Sequence, residues 1–360
     1  MNNELRVKLG RVRGLIKDEG VDGIYIKRQD NFAWLTCGGR NYVGVGEVGN
    51  CGLLVLPDSL YAITTNIEEP RMRNEEELEK LGFKILAGVW YDTGFEKNTL
   101  SELVPSEKLA TDTGEFADKI RMLRFDLTPE EIERYKKIGY DASYAMEGTL
   151  LDIAPGLTEY DIAGRVMDSM EKSGLELLSC MVAADERIRL YRHPLPTNKR
   201  VEGCVQVGGN FRRNGLVICM TRYVYFERPS DALLKQYQDT QLIDCTYMGA
   251  SQPGRKYSDA LREGQAQYEK LGYGDEFSKH HQGGPIGYAG RDYRVDFNTN
   301  GPIAEHQAFC WNPSITGTKS EDTVICTSND IIPVTCPVLF PKTRIVVDNR
   351  VFIRPAILVK

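Results

Sequence analysis

Two segments of this chain repeat one plan. PGLTEYDIAGRVMDSMEKSG, starting at Pro155, and PGRKYSDALREGQAQYEKLG, starting at Pro253, each read as a Pro-Gly turn, a spacer, an Asp-led helix and a closing glycine. Each follows a long helical pattern and precedes segments rich in β-branched residues and glycine. That order restricts the fold to one with an internally duplicated domain, in which two related α-α-β halves face each other across a central cleft.

The chain ahead of the repeat has a different texture. Leu5, Leu9, Val12 and Ile16 recur at helical spacing up to Gly20, and DGIYIK then reads as a strand. CGLLVL and YAITTN are further strands, RNEEELEKLG is a short charged helix, and KLATDTG brings another α/β step. In LTPEEIERYKKIGYDASYAMEGTLLDI, Thr128 can cap a helix, Pro129 suits its first position and Glu131 completes a capping box. The expected organisation is α+β, with a smaller α/β domain over 1–124 and the duplicated domain over 125–360.

Composition narrows the function. With 41% hydrophobic and 27% charged residues and a net charge of −6, the chain has the balance of a soluble globular protein and no footprint for nucleic acid. A small-molecule substrate is the expected partner. No apolar run approaches the roughly 20 residues that span a bilayer, and MNNELRVKLGRVRGL lacks a signal-peptide core, so a cytoplasmic protein that binds no membrane is expected. The nine cysteines include no C-x-x-C pair, which gives neither a disulfide framework nor a zinc knuckle.

Several passages carry a resemblance. VDGIYIKRQDNFAWLTCGG and MLRFDLTPEEIERYKKIGYDA, with VQVGGNFRRNGLVICMTRY, HHQGGPIGYAGRDY, FCWNPSITG and KSEDTVICTSND, resemble the creatinase/aminopeptidase family over nearly the whole chain. The resemblance implies a pita-bread fold and, in peptidase members, two divalent cations held by two aspartates, a histidine and two glutamates. Hard cations that close need several anionic oxygens to offset their repulsion while they ionise a bridging water. Matched onto this sequence, those positions hold Gln206, Cys219, Gly284, Asn312 and Glu321, so one ligand of the five survives. The expectation is a protein with no metal and no other cofactor.

The resemblance also implies what chemistry remains. His193, in RHPLPTNKR, matches a histidine that contacts substrate in the family and is the acid/base of metal-free creatinase. It is the first catalytic candidate, with Glu321 as a possible holder of water and Cys219 as a rival thiolate nucleophile. The two active-site glutamates of creatinase match Thr221 and Asn312, which suits a neutral or anionic group better than a guanidinium. Gln206, Thr221, Arg222, His280, Arg291 and Asn312 are expected to bind substrate, the arginines by gripping a carboxylate. Family dimers imply a homodimer in which Arg40 reaches the partner's cleft. The expected activity is metal-independent hydrolysis or related C–N cleavage of a small carboxylate-bearing compound. A non-catalytic binding protein is the alternative, and a proline peptidase fits the missing ligands least.

Overall fold

The computed structural model describes residues 2–44 and 46–360. Backbone contacts divide it into two compact units: the chain up to Glu131 with Asn214–Leu216, and Ile132–Arg213 with Val217–Lys360. The division falls inside a helix, where the sequence had suggested a change near Arg124.

In the first unit the helix Asn3–Glu19 buries Leu5, Leu9, Val12 and Ile16, and Gly20 ends it in the left-handed region at φ 65°. Its buried Lys8 is paired with Glu4 at 2.6 Å and Glu131 at 2.7 Å. The strands Gly23–Arg28, Val48–Val55 and Leu60–Thr65 join Lys84–Gly88 and Leu109–Thr111 in one mixed five-stranded sheet. One expectation fails: the charged run Arg73–Gly82 is not a helix. The helix is Glu69–Asn74, and the run then turns, with Glu77 at φ 53°. Tertiary contacts override the helical propensity of the run, because Leu78 is buried and Glu76 takes the Arg40 N–H at 2.9 Å and Arg71 at 3.0 Å.

The duplication is real. The long helices Pro129–Leu151 and Asp231–Ala250 are each followed by a 14-residue helix, Glu159–Lys172 and Tyr257–Lys270. The turns before them match bond for bond: Gly156 at φ 92° donates to Val201 O at 2.8 Å, and Gly254 at φ 81° donates to Ile303 O at 2.9 Å. Thr158 and Lys256 then form equivalent isolated bridges with Arg200 and Pro302. The capping box of Thr128 and Glu131 forms as read, at 2.8 and 3.3 Å.

Each half contributes a four-stranded sheet. The first half's sheet contains Glu176–Ala184, Cys204–Arg213 and Leu216–Tyr225, the second's Gly283–Pro285, Gln307–Trp311 and Asp322–Cys326. The two are stitched along Leu216–Tyr225, where Val217 N–H donates to Gly287 O at 2.8 Å, Cys219 N–H to Thr323 Oγ1 at 2.9 Å and Thr221 N–H to Glu321 O at 3.0 Å. This seam carries the candidate site.

Candidate active site

Alternation along Leu216–Tyr225 puts Cys219, Thr221 and Tyr223 on one face and Arg222 on the other. On the first face Tyr223 donates its hydroxyl to Gln206 Oε1 at 2.7 Å, and Thr221 donates to Glu321 Oε2 at 2.7 Å. Lys319 Nζ lies 2.7 Å from the same oxygen, and the two charged side chains are 5% and 2% exposed. Burial alone would raise the Glu321 carboxyl, but the Lys319 ammonium, the Thr221 hydroxyl and the nearby Arg291 hold it below its usual range.

The glycine frame explains itself in backbone terms. Gly283 and Gly284 have φ of 100° and 144° and pair with Trp311 and Cys310. A Cβ on Gly284 would come within 2.8 Å of Tyr293 O, and one on Gly283 within 2.5 Å of Cys310 O. No side chain, histidine included, fits there without moving its neighbours. The half-buried Arg291 instead donates to Gly284 O at 3.2 Å and to Cys310 O, which anchors a guanidinium close to Cys219, Cys310 and Glu321.

Three imidazoles meet beside this pair of cations. His193 and His280 share a hydrogen bond between their Nε2 atoms at 3.0 Å, and the His280 and His281 rings stack at 4.4 Å. Burial, then the charge of Lys319, lowers the pKa of His193. The same two causes lead for His280, which falls to about 2, while burial and Arg291 take His281 to about 4. All three are therefore neutral near pH 7, and a neutral pair with one shared proton can accept a proton at one nitrogen.

The structure thus gathers His193, His280, Thr221, Glu321 and Arg291. Gln206 is buried on the strand Cys204–Arg213 and Asn312 just beyond Gln307–Trp311, and Asn312 Oδ1 has no hydrogen-bond partner among the described residues. Arg222 must be corrected: it lies on the far face, fully buried, bound to Glu147 at 2.7 Å and Asp322 at 3.0 Å, and cannot grip a substrate. Cys219 is likewise 0% exposed, with Cys310 Sγ 4.0 Å from its carbonyl oxygen, a setting for packing rather than attack. Arg40 is exposed in the first unit. Sequence reasoning passed over Lys319, although its spacing of two from Glu321 is the signal that puts side chains on one face of an extended chain.

Residues 133–328 match metallopeptidase family M24, and the chain belongs to that family. It is 24% identical to the uncharacterized peptidase YqhT of Bacillus subtilis over 90% of this chain and 96% of that one. It is 21% identical to a Xaa-Pro dipeptidase of Pyrococcus furiosus, with the same coverage of 90% and 96%. The structure of a Xaa-Pro dipeptidase from Bacillus anthracis superposes with a TM-score of 0.75 at 19% identity, over 99% of this chain and 100% of that chain, so the fold is the pita-bread fold.

The dinuclear metal centre that the family implies does not fit these residues. Among the five matched positions only Glu321 offers an anionic oxygen, and that oxygen already holds an ammonium at 2.7 Å. Among the described residues, the group with the spacing of a metal site is His193, His280 and His281, whose ligand atoms lie within 4.8 Å of one another. Zinc accepts three imidazoles. Burial is the main cause that keeps these rings neutral, the form that binds a metal; the nearby Lys319, Arg291 and Arg294 oppose a dication there, and the Glu321 carboxylate beside His193 acts the other way.

Proposed function

We propose that this M24 protein is a metal-independent hydrolase that cleaves a C–N bond in a small, carboxylate-bearing compound, with His193 and His280 as its acid/base pair. The observation that carries the reading is the 3.0 Å contact between two neutral imidazoles beside an ion-paired carboxylate. His193, the exposed member, takes a proton from water as the water oxygen bonds to the substrate carbon and the carbonyl electrons move to oxygen. When those electrons return, the C–N bond breaks and the same proton passes to the leaving nitrogen. His280 fixes the tautomer and orientation of His193. Gln206 and Asn312, uncharged where the peptidases place carboxylates, suit an amide. The protein is further taken to be a homodimer, on family resemblance alone.

The test is a turnover screen of N-acyl amino acids, small amides and Xaa-Pro dipeptides, run with and without a chelator. Rates should agree within about twofold, because no metal-bound hydroxide takes part. A rate that collapses in chelator and returns with added manganese would overturn the reading. Ligands that bind without any turnover would favour a binding protein instead.

A further inference from the structure

Lys319 stands out as a buried charge that the acid/base chemistry does not use. It is 4% exposed, and its one ion pair among the described residues is with Glu321. A buried ammonium carries a desolvation penalty of several kcal/mol, which a single partner offsets only in good geometry, so its presence calls for a reason. Arg291 adds a second cation, seated on the carbonyl oxygens of Gly284 and Cys310. Two cations and one carboxylate leave an excess positive charge where the peptidases of this fold family concentrate theirs on metal ions. In the same half, one residue beyond the strand Gln307–Trp311 whose Trp311 pairs with Asp322, the buried Asn312 Oδ1 is an acceptor with no donor among the described residues. A ligand that satisfies both features brings an anionic oxygen and an N–H or O–H.

We infer that Lys319 is the residue that sets the ligand specificity of this cleft: its ammonium, seated on Glu321, takes over the charge role of the metals and selects N-acylated amino acids or similar compounds that pair a carboxylate with an amide N–H. A lysine ammonium has three protons to donate, and Glu321 takes one of them, so further acceptors find a donor there. Divalent ions meet a fixed cation in their place. The inference rests on the hydrolase reading only for the choice of site, since it concerns binding.

Calorimetric titration with N-acetylglycine and with its neutral counterpart N-acetylglycinamide separates the two claims. The wild-type protein should prefer the acid by at least about tenfold, the scale of one charge-assisted hydrogen bond. Lys319→Gln should remove that preference, and Lys319→Arg should keep most of it. If Lys319→Gln does not fold, because Glu321 is left buried and unpaired, the double change Lys319→Met with Glu321→Met removes both charges and should equally abolish the preference. An unchanged preference in the variant that folds, or a wild-type protein that does not favour the acid, overturns the inference. Loss of turnover with the acid preference intact would instead count against the hydrolase reading alone.

Discussion

Replacing His193 with Asn should lower turnover by about 10²–10⁴-fold while leaving ligand affinity and folding nearly unchanged, the usual contribution of a positioned proton-transfer group. Asparagine keeps a polar side chain near His280 but cannot take and return a proton. The pH profile gives the same residue a second readout. Burial and the Lys319 charge hold His193 below the ordinary histidine value of 6.5, so the base form persists as the solution is acidified past that point. The acidic limb of kcat/KM should therefore lie below pH 6.5, with activity lost only as pH falls through the depressed value. A limb at or above 6.5, or full turnover in His193→Asn, would remove this histidine from the mechanism.

The largest stability effect is expected at Arg222, the residue that the sequence had offered to substrate. Its guanidinium belongs to a buried chain of charges: Glu147 and Asp322 flank it, and Arg354 links Asp322 at 3.1 Å to Asp244 at 2.5 Å. Glu147 uses its second oxygen to accept the N–H groups of Val338, Leu339 and Phe340 at 2.8, 2.6 and 3.0 Å, so the network also pins a loop. Arg222→Met leaves two buried carboxylates short of their counter-ion and should cost about 3–5 kcal/mol, measured by urea unfolding. A cost below about 1 kcal/mol would mean that the network relaxes around the loss and contributes little to stability. Ligand affinity of the folded variant should stay within a few-fold of wild type, whereas a substrate-gripping arginine would lose it.

How much of this was legible in the sequence depended on whether local chemistry decides the outcome. The first helix was, because four apolar residues at helical spacing and a glycine stop leave little else for Asn3–Gly20 to do. So was the capping box at Thr128, and so were the paired Pro-Gly turns, whose hydrogen bonds coincide in the two halves. The charged run after Asn74 misled because helix propensity says nothing of the arginines and amides that Glu76 would bind. At the site, motif matching located the right strands but not the right faces. Thr221 and Arg222 are neighbours in sequence and point in opposite directions, one to Glu321 and one to Glu147. Lys319 was passed over although its partner Glu321 is only two residues along, because motif matching weighed Glu321 as a ligand and not what would neutralise it. The glycine frame was expected to belong to the fold, with Gly284 at the matched histidine position, and a Cβ on either Gly283 or Gly284 would crowd neighbouring backbone.

The central claim is that fixed cations of the chain occupy the electrostatic place of the family's metals. Elemental analysis of protein purified without chelator from a medium supplemented with zinc, manganese and cobalt tests it most directly. The account predicts well under one equivalent of any divalent metal per chain, and no gain in thermal stability on adding these ions. Two tightly bound ions per chain, or one ion lost on replacing His193, His280 or His281, would contradict it.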